Sequence, residues 1–319
     1  MTPQGPAEVV AVVGATATGK SDLGIALALA SRGEVINADA LQLYRGMDVG
    51  TAKVPVGERQ GIEHHQLDVL GVRDETSVAA YQAAASADIA AIQAWERLPI
   101  LVGGSGLYVR AALDHLDIPP TDPAVRGRLE DEACEAGVEA MRDRLFAVDP
   151  VAAEAIQERN VRRIVRALEV IELTGRPFSA TMPRREHLRP TVMIGLRLPR
   201  PELDARIDAR VARMWAHGML AEVEALDAAG LREGRTAPRA IGYAQALAQL
   251  DGELSEAEAI EQTAQATRRL VRRQESWFRA DPRIHWLDAD RPDLVDAALA
   301  VIERGAGAAG ADPSETMEP

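Results

Sequence analysis

Residues 9–21 read VVAVVGATATGKS, and the order of their parts decides the fold. Val9–Val13 is a short apolar run rich in β-branched valine, which predicts a buried strand. Gly14-Ala-Thr-Ala-Thr-Gly19-Lys20-Ser21 then fits the pattern G-x-x-x-x-G-K-[ST]. The Ala- and Leu-rich stretch Asp22–Ser31 predicts a helix. Strand, glycine loop and helix in this order make a phosphate cradle. The glycines let backbone N–H groups curl around phosphate oxygens, and the helix N-terminus adds partial positive charge. Gly14, Thr16, Ala17, Thr18, Gly19, Lys20 and Ser21 are the candidate phosphate-binding residues. Lys20 supplies a compact cation, and the Ser21 hydroxyl is placed to ligate Mg²⁺. By itself the loop suits ATP or another nucleotide, and equally an enzyme that expels diphosphate.

Working outward, Val35–Ala38 and Pro99–Val102 read as further short buried strands, with a long Ala-rich helix, Ser77–Trp95, between them. Short strands alternating with helices predict an α/β fold with a P-loop NTPase-like parallel sheet core. The texture changes after Leu116, where DIPPTDP carries three prolines. Residues Ala124–Thr174 read as consecutive helices, Thr191–Leu198 as a strand able to rejoin the sheet, and Pro201 to about Ala280 as helix again. The expected organisation is a discontinuous core, 1–116 and 191–304, with a helical insertion at 117–190. The low-complexity stretch 305–319 is expected to be a disordered tail.

The chain has 319 residues, of which 47% are hydrophobic, enough for a sizeable core. A single cysteine, Cys134, excludes a disulfide framework and a thiolate zinc site. There is no signal-like N-terminus and no run approaching the roughly 18 apolar residues of a spanning helix, so a cytoplasmic protein without a membrane partner is expected. The net charge of −13 argues against indiscriminate nucleic-acid coating; any nucleic acid must meet local basic patches. Two such patches exist. Arg159, Arg162, Arg163 and Arg166 share one helical face, with Val161, Ile164, Val165, Leu168 and Ile171 on the other. Arg268, Arg269, Arg272 and Arg273 cluster likewise, and both patches read either as solvated faces or as phosphate contacts. Of 36 basic residues only Lys20 and Lys53 are lysines, which hints at places where a planar guanidinium will not serve.

Asp39 follows the second strand, at the carboxyl edge where open α/β sheets build their sites. It reads as a helix N-cap, a Mg²⁺ holder or a general base. Ser105 follows the PILVGG strand and should face the same crevice. His64-His65 suggests a metal, but adjacent side chains seldom converge on one ion, so a hydrogen-bonding role is expected.

At this point GATATGKS, DALQLYRGMDVGTAK, HHQLD, VGGSGLY, RAIGY and ATRRLVRRQESWFR resemble, in order and spacing, the motifs of bacterial tRNA dimethylallyltransferases. The resemblance runs from about Val9 to Trp286. It implies transfer of a dimethylallyl group from dimethylallyl diphosphate to N6 of adenosine-37 in tRNA, with Mg²⁺, on a P-loop core whose helical insertion embraces the anticodon arm. It implies that Thr16–Ser21 and Arg210 hold diphosphate, that Asp39 is the general base and that Ser105 lies near the reacting amine, with Lys20 assisting catalysis. It places Asp39, Ala40, Leu41, Gln42, Ser105, Arg126, Arg162, Arg163, Arg166, Arg239, Gly242, Tyr243, Arg269, Arg272, Arg273 and Gln274 among tRNA-contacting positions. The chain departs from the family pattern at Ala40, usually Ser, at Ala244, usually basic, and at Arg272-Arg273-Gln274, usually KRQ. The zinc finger of eukaryotic relatives is absent, and a monomer is expected.

Three competing readings stand beside this one: a small-molecule P-loop kinase, an isopentenyltransferase acting on free adenine nucleotide, and an RNA-binding protein with a relic loop. The first would need ATP γ-phosphate transfer and no RNA; the helical insertion and both arginine-rich helices weigh against the second, and the intact pair Lys20 and Asp39 against the third.

Overall fold

The strand expected at Val9–Val13 is β1 (Val9–Gly14), every residue of which is buried. The structure, a computed structural model, describes residues 7–181 and 185–307. In chain order β1 is followed by α1 (Lys20–Ser31), β2 (Gly33–Asn37), β3 (His64–His65), α2 (Val78–Ala94), β4 (Leu98–Gly103) and α3 (Gly106–Leu113). Three helices come next, α4 (Pro123–Val148), α5 (Pro150–Ala155) and α6 (Val161–Thr174). After them come β5 (Thr191–Arg197), α7 (Arg200–Ala216), α8 (Met219–Ala228), α9 (Tyr243–Leu250), α10 (Glu256–Arg279), β6 (Ile284–Asp288) and α11 (Leu294–Gly307).

The six strands form one sheet in the order β3-β2-β4-β1-β5-β6, with every pairing parallel. β1 lies between β4 and β5, which explains its unbroken apolar sequence: a central parallel strand is covered on both faces. The outer strands β3 and β6 escape sequence reading. β3 is two residues long, and β6 (IHWLD) leaves His285 and Asp288 exposed at the sheet's edge. Helix α2 is capped by Ser77, whose side chain accepts the Ala80 N–H at 3.1 Å. Among the described residues no helix is long and apolar enough to cross a membrane. The tail expected from Gly305 begins inside α11, which continues through Gly307, and its remainder lies outside the described residues.

The chain divides into two compact units. One holds the sheet and runs to Leu113 and again from His187; the other is Asp114–Glu186, against the expected 117–190. Within the second unit, α4 is broken at Gly137, whose φ of 84° and ψ of 164° leave the helical region. Leu129, Met141, Leu145, Ile164 and Leu168 build its core. Beside that core the fully buried Glu169 gathers donors. It accepts from Thr121 Oγ1 at 2.6 Å, from the Asp122 N–H at 3.0 Å, from Arg166 Nη1 at 2.8 Å and from Arg126. Arg166 also donates to the carbonyls of Pro119 and Pro120, at 2.7 and 2.9 Å. A buried carboxylate persists only when compensated in this way.

Burial opposes the Glu169 charge, but the bonds from Arg126, Thr121 and Arg166 outweigh it and hold the carboxyl at about 2, against an ordinary 4.5. A depressed folded value means that the stabilisation is complete above the ordinary value and fades as pH falls toward the folded one. Glu169→Gln is therefore expected to flatten the acid loss of stability between about pH 4.5 and pH 2, followed by circular dichroism. Glu169→Ala, which leaves two arginines facing a buried gap, should cost about 3–5 kcal/mol in urea unfolding.

Candidate active site

Because all strands run the same way, the residues following β1, β2 and β4 gather at one end of the sheet. The loop after β1 turns on two backbone features. Gly14 has φ 139°, and a Cβ there would stand 2.7 Å from the Leu196 carbonyl oxygen. Gly19, at φ 83°, precedes α1 in the left-handed region. Thr18 is buried and its hydroxyl donates to the Ala15 carbonyl at 2.9 Å, so it braces the loop. The side chain is thus committed inside the loop, and any contact of Thr18 with a phosphate falls to its backbone N–H. Lys20 Nζ donates to the same carbonyl at 2.6 Å.

Thr16, Lys20, Ser21, Asp39, Gln42 and Arg210 line one cavity, whose apolar walls include Val35, Ala52, Val54, Leu67 and Val102. Ala17, Gly19, Lys20, Ser21 and Arg210 line a second, adjoining cavity. Lys20 is pressed down to about 8, first by burial and then by the neighbouring Arg210, with Asp39 pulling the other way. Burial likewise lowers Arg210, partly offset by Asp39. Arg210 Nη2 donates to the Thr51 carbonyl at 3.2 Å, which Gln42 Nε2 also reaches at 3.1 Å.

Asp39 stands directly after β2. Its N–H donates to Asn37 Oδ1 at 2.9 Å, and its own Oδ1 accepts the Leu41 N–H at 3.0 Å. Oδ1 thus closes a turn, and since no helix follows Asp39 the helix N-cap reading is not met, while Oδ2 has no hydrogen bond among the described residues. Asn37 is fixed in turn by the Gln66 carbonyl at 2.9 Å, and its own carbonyl accepts from buried Tyr81 at 2.8 Å. Ser105 Oγ accepts the Ala40 N–H at 3.3 Å, and the Ser105 N–H donates to the Ala38 carbonyl at 3.2 Å. Two residues of β2's exit are thereby tied to the exit of β4. Leu41 packs against the apolar core rather than facing the cavity.

Several residues expected at a nucleic-acid surface lie inside instead. Gln274 is buried: its Oε1 accepts the Thr16 N–H at 3.0 Å, and its Nε2 donates to the Gly104 carbonyl at 3.0 Å. It clamps the phosphate loop to the end of β4, and a Cβ on Gly104 would meet its Nε2 at 2.5 Å. Tyr243 is fully buried and donates to Glu222 at 2.5 Å. Glu222 also accepts from the N–H groups of Asp48, Val49 and Gly50. Gly242 is buried beside it, with φ 91°. Arg126 and Arg166 are partly exposed and paired with Glu169. By contrast Arg162, Arg163, Arg239, Arg269, Arg272 and Arg273 are exposed, with no side-chain hydrogen bond or ion pair among the described residues.

The sequence reading missed Thr51, whose carbonyl positions Arg210, and the cavity residue Leu67; it singled out His64, but not as part of this cavity. A carbonyl has no residue signature, so only the fold could reveal it. Lys53 was singled out by its rarity alone. It is buried and donates to the Tyr44 carbonyl at 2.9 Å and to Asp48 and Asp68 at 2.6 Å each. Three donors spreading from one ammonium fit this cage, and a planar guanidinium does not. His65 bonds Glu34 at 2.7 Å, and no group of three metal-ligating side chains occurs among the described residues.

Residues 42–281 match the protein family described as IPP transferase. The chain is 60% identical over 302 residues to a tRNA dimethylallyltransferase of Kineococcus radiotolerans, covering 92% of this chain and 95% of that relative. It resembles the solved tRNA isopentenylpyrophosphate transferase of Bacillus halodurans, with TM-score 0.69 and 37% identity, covering 94% and 98% of the two chains. A solved eukaryotic dimethylallyltransferase acting on tRNA gives TM-score 0.78 at 25% identity, covering 98% and 82%.

The lowered Lys20 value sets a pH expectation. A protonated Lys20 would attract an anion entering the cavity, so affinity for inorganic diphosphate should weaken as pH rises past about 8. Titration calorimetry should show this limb in the native protein, and Lys20→Met should lose it, leaving only the ligand's own titration.

Proposed function

The chain belongs to the IPP transferase family, and from that premise we propose that it transfers the dimethylallyl group of dimethylallyl diphosphate to N6 of adenosine-37 in tRNA. The observation that carries this reading is the convergence of Lys20, Arg210 and Asp39 on one cavity with apolar walls. Cations suit a diphosphate, the apolar wall suits a five-carbon chain, and the free carboxylate oxygen suits a proton leaving an amine. High-identity relatives named for this activity favour it over the kinase alternative.

In this proposal the loop N–H groups, Lys20 and Arg210 hold the diphosphate and take up its growing charge. The adenine amine attacks the allylic carbon. The new C–N bond forms as the C–O bond to diphosphate breaks, and the bonding pair leaves with diphosphate. Asp39 Oδ2 accepts the N6 proton, and the Ser105 hydroxyl holds the amine in line. Mg²⁺, when bound, offers the leaving diphosphate further charge neutralisation. The Ser21 hydroxyl, which faces the cavity, would suit an ion that keeps its waters and takes other ligands from substrate phosphates. The target base must leave its stack, which is cheaper in a loop than in a duplex. The exposed arginines Arg162, Arg163, Arg239, Arg269, Arg272 and Arg273 form the proposed phosphate-contacting set. A monomeric, cytoplasmic enzyme remains part of the proposal.

Unmodified tRNA incubated with radiolabelled dimethylallyl diphosphate, Mg²⁺ and the protein should yield prenylated adenosine; absence of label in tRNA would sink the reading. Asp39→Asn is expected to lower single-turnover transfer by about 10²–10⁴ while filter binding of tRNA changes little. An equal loss of binding would make Asp39 a scaffold residue. Replacing Arg162 and Arg163 by Ala should weaken tRNA binding and reduce its salt dependence.

A further inference from the structure

Helix α7 presents Arg206, Arg210 and Arg213 to the second cavity, which shares Lys20, Ser21, Ala52, Val54 and Arg210 with the first. The three arginines differ in their commitments. Arg206 is paired with Glu202 at 2.7 Å, and Arg210 is tied to the Thr51 carbonyl. Arg213 is exposed, and its guanidinium has no hydrogen bond or ion pair among the described residues. It stands one helical turn from Arg210, close enough that its charge helps to lower that residue's affinity for a proton. Carboxylates also face this cavity. Asp48 is neutralised by Lys53, while Asp22 and Glu58 sit on α1 and on the loop before β3. The α7 wall is therefore the cationic one, and Lys20, Arg210 and Arg213 follow one another from the phosphate loop outward.

Two like charges held a turn apart, the outer one without a counter-ion, are relieved by a multivalent anion lying between them. We propose that Arg213 is a positioning residue for the phosphate end of the prenyl donor and for the diphosphate that leaves, forming a second anion station beside the P-loop. This inference rests on the transferase reading above. Arg213 touches neither the adenine nor the reacting carbon. It captures diphosphate on the way in and holds it on the way out, so its effect falls on KM and product inhibition rather than on kcat.

The test uses the full chain with inorganic diphosphate as probe in calorimetry, and dimethylallyl diphosphate in steady-state transfer to tRNA. Arg213→Gln should weaken diphosphate binding and raise the donor KM by about three- to fivefold, the size of a solvent-exposed charge contact. Its binding should also depend less on salt. Arg213→Lys should restore most of the loss, because a point charge suffices for this role. Native binding by Arg213→Gln overturns the proposal, as does a fall in kcat and melting temperature that lysine does not rescue. If the unaltered protein transfers no prenyl group and binds no diphosphate, the transferase reading itself falls instead.

Discussion

Two half-buried cations, Lys20 and Arg210, face a single carboxylate, Asp39, across one cavity. This imbalance is the condition on which the site depends. Removing an ammonium from water is costly, and the cost appears as the depressed Lys20 value. In the proposed reading, an incoming polyanion reverses the deficit. A site already balanced by carboxylates would gain far less from binding diphosphate.

Holding such an unbalanced cavity open requires rigid walls, and the chain builds them from other charges that are fully satisfied. The wall at residues 48–54 hangs from two anchors. Glu222 takes three consecutive backbone N–H groups and the Tyr243 hydroxyl, and Lys53 binds a carbonyl and two aspartates. Between the anchors the Thr51 carbonyl fixes Arg210. Gln274 joins the phosphate loop to the end of β4. Each anchor is a buried polar group whose partners come from distant chain segments, so each resists local opening. The same economy shapes the insertion, where Glu169 draws two arginines inward and leaves Arg162 and Arg163 at the surface.

Much of the core was legible. β1, β2, β4 and β5 appear as short apolar runs because central parallel strands are buried on both faces, and the phosphate loop has a spacing few other structures require. The edge strands were not legible, since β3 has two residues and β6 exposes two of its five. The arginine-rich helices showed which face was basic without showing which arginines were spent. Arg126 and Arg166 look like Arg162 and Arg163 in sequence, and only the position of Glu169 separates them.

The sequence by itself determined the parallel α/β core and the strand, glycine loop and helix that open it, because these follow from local spacing and hydrophobic period. Tertiary structure alone decided the partners. It turned Gln274 and Tyr243 from expected surface contacts into internal braces, left one oxygen of Asp39 free, and made Thr51 the support of Arg210. The physical reason is that a polar side chain's role is set by what lies within about 3 Å of it, and those neighbours come from chain segments up to 258 residues away.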